Sequence, residues 1–181
     1  MKTNITASKI IIMILAAAIS LFTSCSSSDD STRPTTQTWH NHFVINRDTE
    51  ATAAYGSSSR VQINFVVTNI PTDMAAEGDS LAITGYNLCD STGTEYSWKV
   101  GASETSTEFV KTVTSSSVTF TFFWNTTFNT TDFKVFKAGD WDSPIVIDPE
   151  ESNGNIDIAF DSGLAKAGDV LTITVDASTL Q

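Results

Sequence analysis

The sequence has few of the residues on which catalysis and metal binding usually depend. Its 181 residues include only two histidines, His40 and His42. Both lie near the N-terminal end of the chain, so a nucleophile in the main body would have no histidine beside it as a base. They are two residues apart on a predicted strand, so we expect them to share one solvated face. A metal site there would need further ligands. The sequence predicts no enzyme and no cofactor, and it assigns no metal site, with calcium held by Asp140, Asp142 and Asp148 as the alternative.

Basic residues are also scarce. The chain has 10 lysines and arginines against 21 aspartates and glutamates, which gives a formal net charge of −11 at pH 7. An acidic surface repels nucleic acid and anionic lipid. The charge therefore argues against nucleic-acid partners and is compatible with a neutral ligand.

No apolar run is long enough to form a membrane-spanning helix. The run of ten from Ile10 to Ile19, preceded by Lys2 and Lys9, is half the ~20 residues that a bilayer requires. It is typical of a secretory signal, and the small residues before Cys25 are typical of a bacterial lipobox. Residues 1–24 are therefore predicted to be a lipoprotein signal peptide, with Cys25 as the lipidated residue. An ordinary signal peptide cut nearby is the alternative.

The residues that follow Cys25 are polar and have nothing to bury. Residues 25–37 are predicted to be a flexible tether that holds a domain, residues 38–181, away from a membrane. The only membrane contact expected is the lipid anchor. Removal of residues 1–24 takes two lysines and no acid, which leaves 8 − 21 = −13. With Cys25 lipidated, Cys89 is the one remaining thiol, so no internal disulfide is expected.

Helical periodicity is nearly absent, whereas strand patterns recur about every ten residues. The strongest begins at Val118, where Val118, Phe120, Phe122 and Trp124 lie on one face and Thr119 and Thr121 on the other. About eight or nine such strands predict an all-β, antiparallel β-sandwich, with a partly open barrel as the alternative. Two stretches that begin at Gly78 and Gly168 have similar sequences, which we interpret as two turns that lead into core strands.

Two tryptophans lie beside polar loops. Trp98 follows Ser97, and Trp141 follows the turn Ala138-Gly139-Asp140. Indole is costly to leave in water unless something covers it. Sugar rings have flat C–H faces that stack on indole, so the pair suits a carbohydrate, although packing in small satellite cores explains the pattern equally well.

The segment Asp132 to Phe136, followed by Gly139-Asp140-Trp141, resembles the "FKF…G-x-W" signature of starch-binding modules. The similarity is greatest to the outer-membrane starch-binding lipoproteins of Bacteroidetes polysaccharide-utilisation systems, of the SusE and SusF type. Leu81 to Gly85 is similar to their first "I-x-G" strand, and Leu171 to Asp176 to their closing strand. A serine and acid run after the lipidated cysteine resembles their surface-export signal.

The resemblance implies a starch-binding-module-like or immunoglobulin-like sandwich that holds an α-glucan at the cell exterior without cleaving it. It implies Trp98 and Trp141 as the stacking pair and Lys134 as the polar anchor. It also implies partner proteins in an outer-membrane glycan-uptake complex. The alternative function is a structural or adhesive lipoprotein of the cell envelope, which would meet protein partners through edge strands.

Overall fold

A computed structural model describes residues 30–56, 58–85, 88–96, 108–125, 130–140, 142–146, 148–150 and 156–180. The chain divides into two compact units, Met1–Arg33 and Pro34–Gln181. The described part of the first unit is a short 3-10 helix, Asp30–Thr32. Among the described residues, no helix has the length and apolar composition that a membrane span requires.

The second unit is all-β, as predicted. Its described strands are β1 (Thr36–Trp39), β2 (Phe43–Asp48), β3 (Arg60–Thr68), β4 (Ser80–Gly85), β5 (Leu88–Cys89), β6 (Glu95–Tyr96), β7 (Val110–Thr112), β8 (Val118–Asn125), β9 (Thr130–Lys137), β10 (Pro144–Val146), β11 (Ile156–Ala159) and β12 (Val170–Asp176). Several have only two or three residues, which is why the sequence predicts fewer strands. β1 begins inside the segment predicted to end the tether.

The strands form two sheets. The first has the order β1-β2-β12-β3-β8-β5-β6, and the second has the order β10-β9-β4-β7 with β11 also paired to β9. The described pairings are antiparallel except for β12 and β3, which run parallel from Val170 opposite Gln62 to Asp176 opposite Thr68. The prediction of a purely antiparallel sandwich is wrong at this pair.

The two sheets share one core. Phe65 of β3 and Phe122 of β8 pack edge-on against Phe133 of β9, with ring centroids 4.7 and 5.7 Å apart. Aromatic rings prefer such edge-to-face contacts. The alternating face predicted for β8 is buried as expected, from Val118 to Trp124. Facing sheets with interdigitated side chains are the arrangement of a sandwich.

The two similar sequence stretches form the same loop, as predicted. Each precedes a central strand, β4 in one sheet and β12 in the other. Gly78 and Gly168 have φ of +90° and +92°, a conformation that favours glycine. The aspartate after each glycine accepts a hydrogen bond from a backbone N–H three residues before it, at 2.9 Å for Asp79 and 2.7 Å for Asp169.

Candidate functional site

The structure describes one of the three residues predicted to bind sugar. Lys134 lies in β9, opposite Thr84 of β4, and its side chain is half-buried. Trp98 and Trp141 lie outside the described residues, as does Cys25. The proximity of Trp98, Trp141 and Lys134 therefore stays a prediction.

Alternation along β9 places Lys134 on the outward face of the second sheet. Its neighbours Phe133 and Val135 point into the core and are fully buried. The outward face is less open than the sequence indicates, because Thr84 and Phe136 on it are only 1% and 5% exposed. A lysine in such a place can lay its aliphatic stem along the covered surface and keep its ammonium group accessible. Lys134 therefore lies on a face of the second sheet that is partly covered.

The turn after β9, which leads directly to Trp141, is firmly connected to the second sheet. Ala138 N–H donates to the carbonyl of Ser80 at 2.8 Å, and Asp140 N–H donates to the carbonyl of Lys137 at 2.9 Å. The ammonium of Lys137 lies 2.7 Å from Asp79, and this contact holds the pKa of the Asp79 carboxyl below its usual value. The turn Ala138-Gly139-Asp140 is therefore fixed relative to β4 and β9.

The structure contains a histidine–carboxylate cluster that the sequence analysis missed. His40 Nδ1 lies 2.5 Å from Oδ2 of Asp148, which is fully buried. His40 Nε2 lies 3.9 Å from Oε2 of Glu150, and the ring stacks on Trp39 at 4.5 Å between centroids. The prediction of a solvated pair of histidines on a strand is wrong, because His40 belongs to the turn between β1 and β2 and has a φ of +48°.

This cluster connects the two sheets at one edge. His40 is in the first sheet's β1–β2 turn, whereas Asp148 and Glu150 follow β10 of the second sheet. A carboxylate on Nδ1 fixes the orientation of an imidazole, yet the contacts of His40 are acids and an indole rather than a hydroxyl or thiol. In the described parts of the chain, no three or more His, Cys, Asp or Glu side chains are grouped so that they could hold a metal ion. The cluster links the turn between β1 and β2 of the first sheet to the segment after β10 of the second.

Gln37 makes a second connection at the same edge. Its buried amide donates from Nε2 to the carbonyl of Ala159 at 2.9 Å, and its Oε1 accepts from Asp161 N–H at 3.0 Å. Since β1 belongs to the first sheet and β11 ends at Ala159, these bonds also cross between the sheets.

The outward face of the first sheet carries a regular polar surface, which we call the strip. Two adjacent rows of side chains cross β1, β2, β12, β3 and β8 in that order. The first row is Thr36, Asn46, Thr172, Asn64 and Thr121, and the second is Thr38, Val44, Thr174, Val66 and Thr119. All ten side chains are at least partly exposed, and none is charged.

Comparison of the chain with protein families, with curated proteins and with solved structures finds no match.

Proposed function

We propose that this protein is a lipoprotein of the outer membrane, facing the cell exterior, that binds a polysaccharide without cleaving it. The ligand class is a starch-like α-glucan, and the fold is a sandwich of the starch-binding-module type. The observation that carries the proposal is that Lys134 lies on the outward face of β9, the strand that runs into the turn before Trp141 in the sequence. We propose that Trp141 lies close to Lys134, because a cation and an indole together suit a sugar ring, which offers a flat apolar face and hydroxyl groups.

The acidic charge of the chain supports a neutral ligand. With 21 acidic and 10 basic residues, the surface repels polyanions such as nucleic acid or acidic polysaccharides. A neutral glucan meets no such barrier, and its binding depends on stacking and hydrogen bonds.

The short edge strands argue against the alternative function, in which an adhesive subunit pairs with protein partners through a sheet edge. Among the described residues, the edges are β1 with four residues, β6 with two, β7 with three, and β10 and β11 with three and four. Short edge strands are one means by which proteins avoid pairing with another chain.

The anchor is tested by lipid labelling. We expect that Cys25→Ala abolishes incorporation of labelled palmitate and releases the protein from the membrane fraction, because this thiol is the proposed acylation site. Cys89→Ala is the matched control and is expected to leave labelling unchanged. Normal labelling of Cys25→Ala would contradict the lipoprotein assignment.

Ligand binding is tested with the full chain in detergent micelles. We expect binding to soluble α-glucan and none to polygalacturonate, an anionic control. Chromatography of the incubated glucan is expected to show its original length distribution. Release of shorter products by the purified protein would contradict binding without cleavage, and failure to bind any neutral polysaccharide would contradict the proposal as a whole.

A further inference from the structure

The strip on the first sheet is exposed, and a loop of the same chain covers the part of the face beside it. Next to the strip, the loop before β3 covers the same face of the sheet. Tyr55 packs edge-on against Phe123, with ring centroids 5.7 Å apart, and Ala54 N–H donates to Oε1 of Gln62 at 3.1 Å. The chain therefore covers the apolar end of this face and leaves the strip exposed. Val44, in the strip, is 39% exposed and is the one large hydrophobic residue in the described part of the chain that is exposed to this degree.

Hydrogen bonds within the strip hold its amide groups in place. Thr36 Oγ1 donates to Oδ1 of Asn46 at 2.9 Å, and Thr121 Oγ1 donates to Oδ1 of Asn64 at 3.0 Å. Both bonds use the amide oxygen, so the amide nitrogens of Asn46 and Asn64 remain as donors for a ligand. Fixing side chains in advance lowers the entropy cost of binding.

The strip is long and narrow, which suits a linear polymer better than a protein partner. Strands lie ~4.8 Å apart and alternate residues ~7 Å apart, so five strands and two rows make a surface of roughly 20 by 10 Å. A specific protein–protein interface buries about 800 Å² on each partner, several times that area. An extended polymer that lies across the strands would instead match the strip along its length.

The chemistry of the two rows matches an uncharged sugar polymer. The first row offers only hydroxyl and amide groups, whereas the second alternates threonine with Val44 and Val66. Sugar chains present hydroxyl edges and C–H faces, which fit these two rows. None of the ten positions is charged, in a chain with 31 charged residues among 181, so the strip itself offers no ion pair to a ligand.

Sheet twist restricts the ligand further. Adjacent strands rotate by about 20–25°, so the ends of a five-strand row differ in direction by roughly 80–100°. A flat crystalline surface cannot follow such a row, whereas a single flexible chain can.

We propose that the strip is a second carbohydrate-binding surface, which takes a single extended, uncharged polysaccharide chain across the strands of the first sheet. This inference rests on the proposed function, but it adds a site on the opposite side of the sandwich from Lys134, since the inner faces of the sheets pack together. One protein then holds two glycan chains.

The test is a titration of the full chain, in detergent micelles, with soluble α-glucan oligosaccharide. Threonine methyl resonances report each position by NMR. We expect shifts at Thr38, Thr119 and Thr174, no shift at Thr72, which is exposed in the loop between β3 and β4, and a calorimetric stoichiometry of two. Thr174→Arg places a long side chain across the centre of the strip and is expected to lower affinity there ~10-fold or more, as for central contacts in other interfaces. Thr72→Arg, the matched control, is expected to bind normally.

The outcomes separate this inference from the proposed function. If Trp98→Ala and Trp141→Ala weaken binding, but the strip methyls do not shift and the stoichiometry is one, the strip is not a site and the proposed function stands. If no neutral polysaccharide binds, both fail. Should Thr174→Arg fail to fold, Thr119→Arg, at an exposed end of the row, replaces it, and the methyl shifts of the unmodified chain decide the matter independently.

Discussion

At the scale of single residues, Thr131 has a hydroxyl group that the core leaves without a partner. The side chain is 2% exposed, and Oγ1 has no hydrogen-bond partner among the described residues. A buried polar group without a partner destabilises the fold. Thr131→Val keeps the shape and removes the hydroxyl, so we expect the free energy of unfolding in urea to rise by about 1 kcal/mol.

The control for this prediction is Thr112→Val, at an exposed position of β7. Solvent hydrates that hydroxyl, so its loss is expected to change stability little. A decrease in stability for Thr131→Val would mean that the hydroxyl makes a bond after all.

The burial of a residue can be predicted from the sequence where it follows the two-residue alternation of a strand. The alternation from Val118 to Trp124 predicts the inward face of β8 correctly. It gives no sign that Phe123, on the other face, is 2% exposed, because the cover is provided by Tyr55 from a distant loop. Likewise, the pairing of His40 with Asp148 joins residues 108 apart in the chain, and no local pattern reports such a contact.

At the scale of elements, the loop that precedes β4 depends on an ionised carboxylate. Asp79 accepts hydrogen bonds from Lys137 and from Ala76 N–H, and these lower its pKa from the ordinary value of 3.8. A lowered folded-state pKa stabilises the protein above the unfolded value, and this stabilisation is lost as the pH falls through the folded-state pKa. We expect Asp79→Asn to be less stable than the parent chain at pH 7, with a difference that shrinks below pH 3.8.

Asp157→Asn, at an exposed position of β11, is the matched control for urea unfolding between pH 2 and 7. It is expected to follow the parent chain throughout. A constant difference between Asp79→Asn and the parent over this range would show that the carboxylate charge contributes nothing to the loop. Asp176 is a second carboxyl with a lowered pKa, through hydrogen bonds from Ser178 and Asn69. Its protonation adds to the loss of stability at low pH in the parent chain and in both variants.

The sequence predicts part of the environment of Lys134. Alternation along β9 puts Lys134 opposite the core, as the structure has it. It does not predict the burial of Phe136 on the same face, because burial of an outward residue depends on what covers the sheet. Trp98 and Trp141, the other members of the predicted site, remain predictions.

At the scale of the whole molecule, the last strand of the chain lies in the middle of the first sheet. β12 is inserted between β2 and β3, and its Leu171, Ile173 and Val175 are fully buried. Burial of three such side chains contributes roughly 5–9 kcal/mol, which is comparable with the entire stability of a domain. We expect a chain that ends at Asp169 to be unfolded by circular dichroism and by NMR.

The control is a chain that ends at Ala177. It keeps β12 and loses a short 3-10 helix of which only Ala177 is buried, so we expect it to fold with a small loss of stability. Cooperative unfolding of the shorter chain that ends at Asp169 would show that the remaining strands close the first sheet without β12.

The position of β12 also shows why topology is harder to predict than fold class. The pattern of Leu171, Ile173 and Val175 predicts a strand and its inward face. The pattern does not predict that β2 and β3 are the neighbours of β12, or that β12 pairs with β3 in parallel. Side chains alternate in the same way in parallel and antiparallel strands. An all-β fold is therefore predictable from the sequence, whereas the strand order is not.

The central claim is that an indole pair and a lysine bind a neutral glycan. The most direct measurement is the affinity of the full chain for soluble α-glucan, compared among Trp98→Ala, Trp141→Ala and Lys134→Ala. We expect ~10-fold or greater loss for each tryptophan, equivalent to about 1.4 kcal/mol, and a smaller loss for Lys134. Trp124→Phe, in the core, is the control and is expected to bind normally. Unchanged affinity in both tryptophan variants, with the fold intact, would contradict the account.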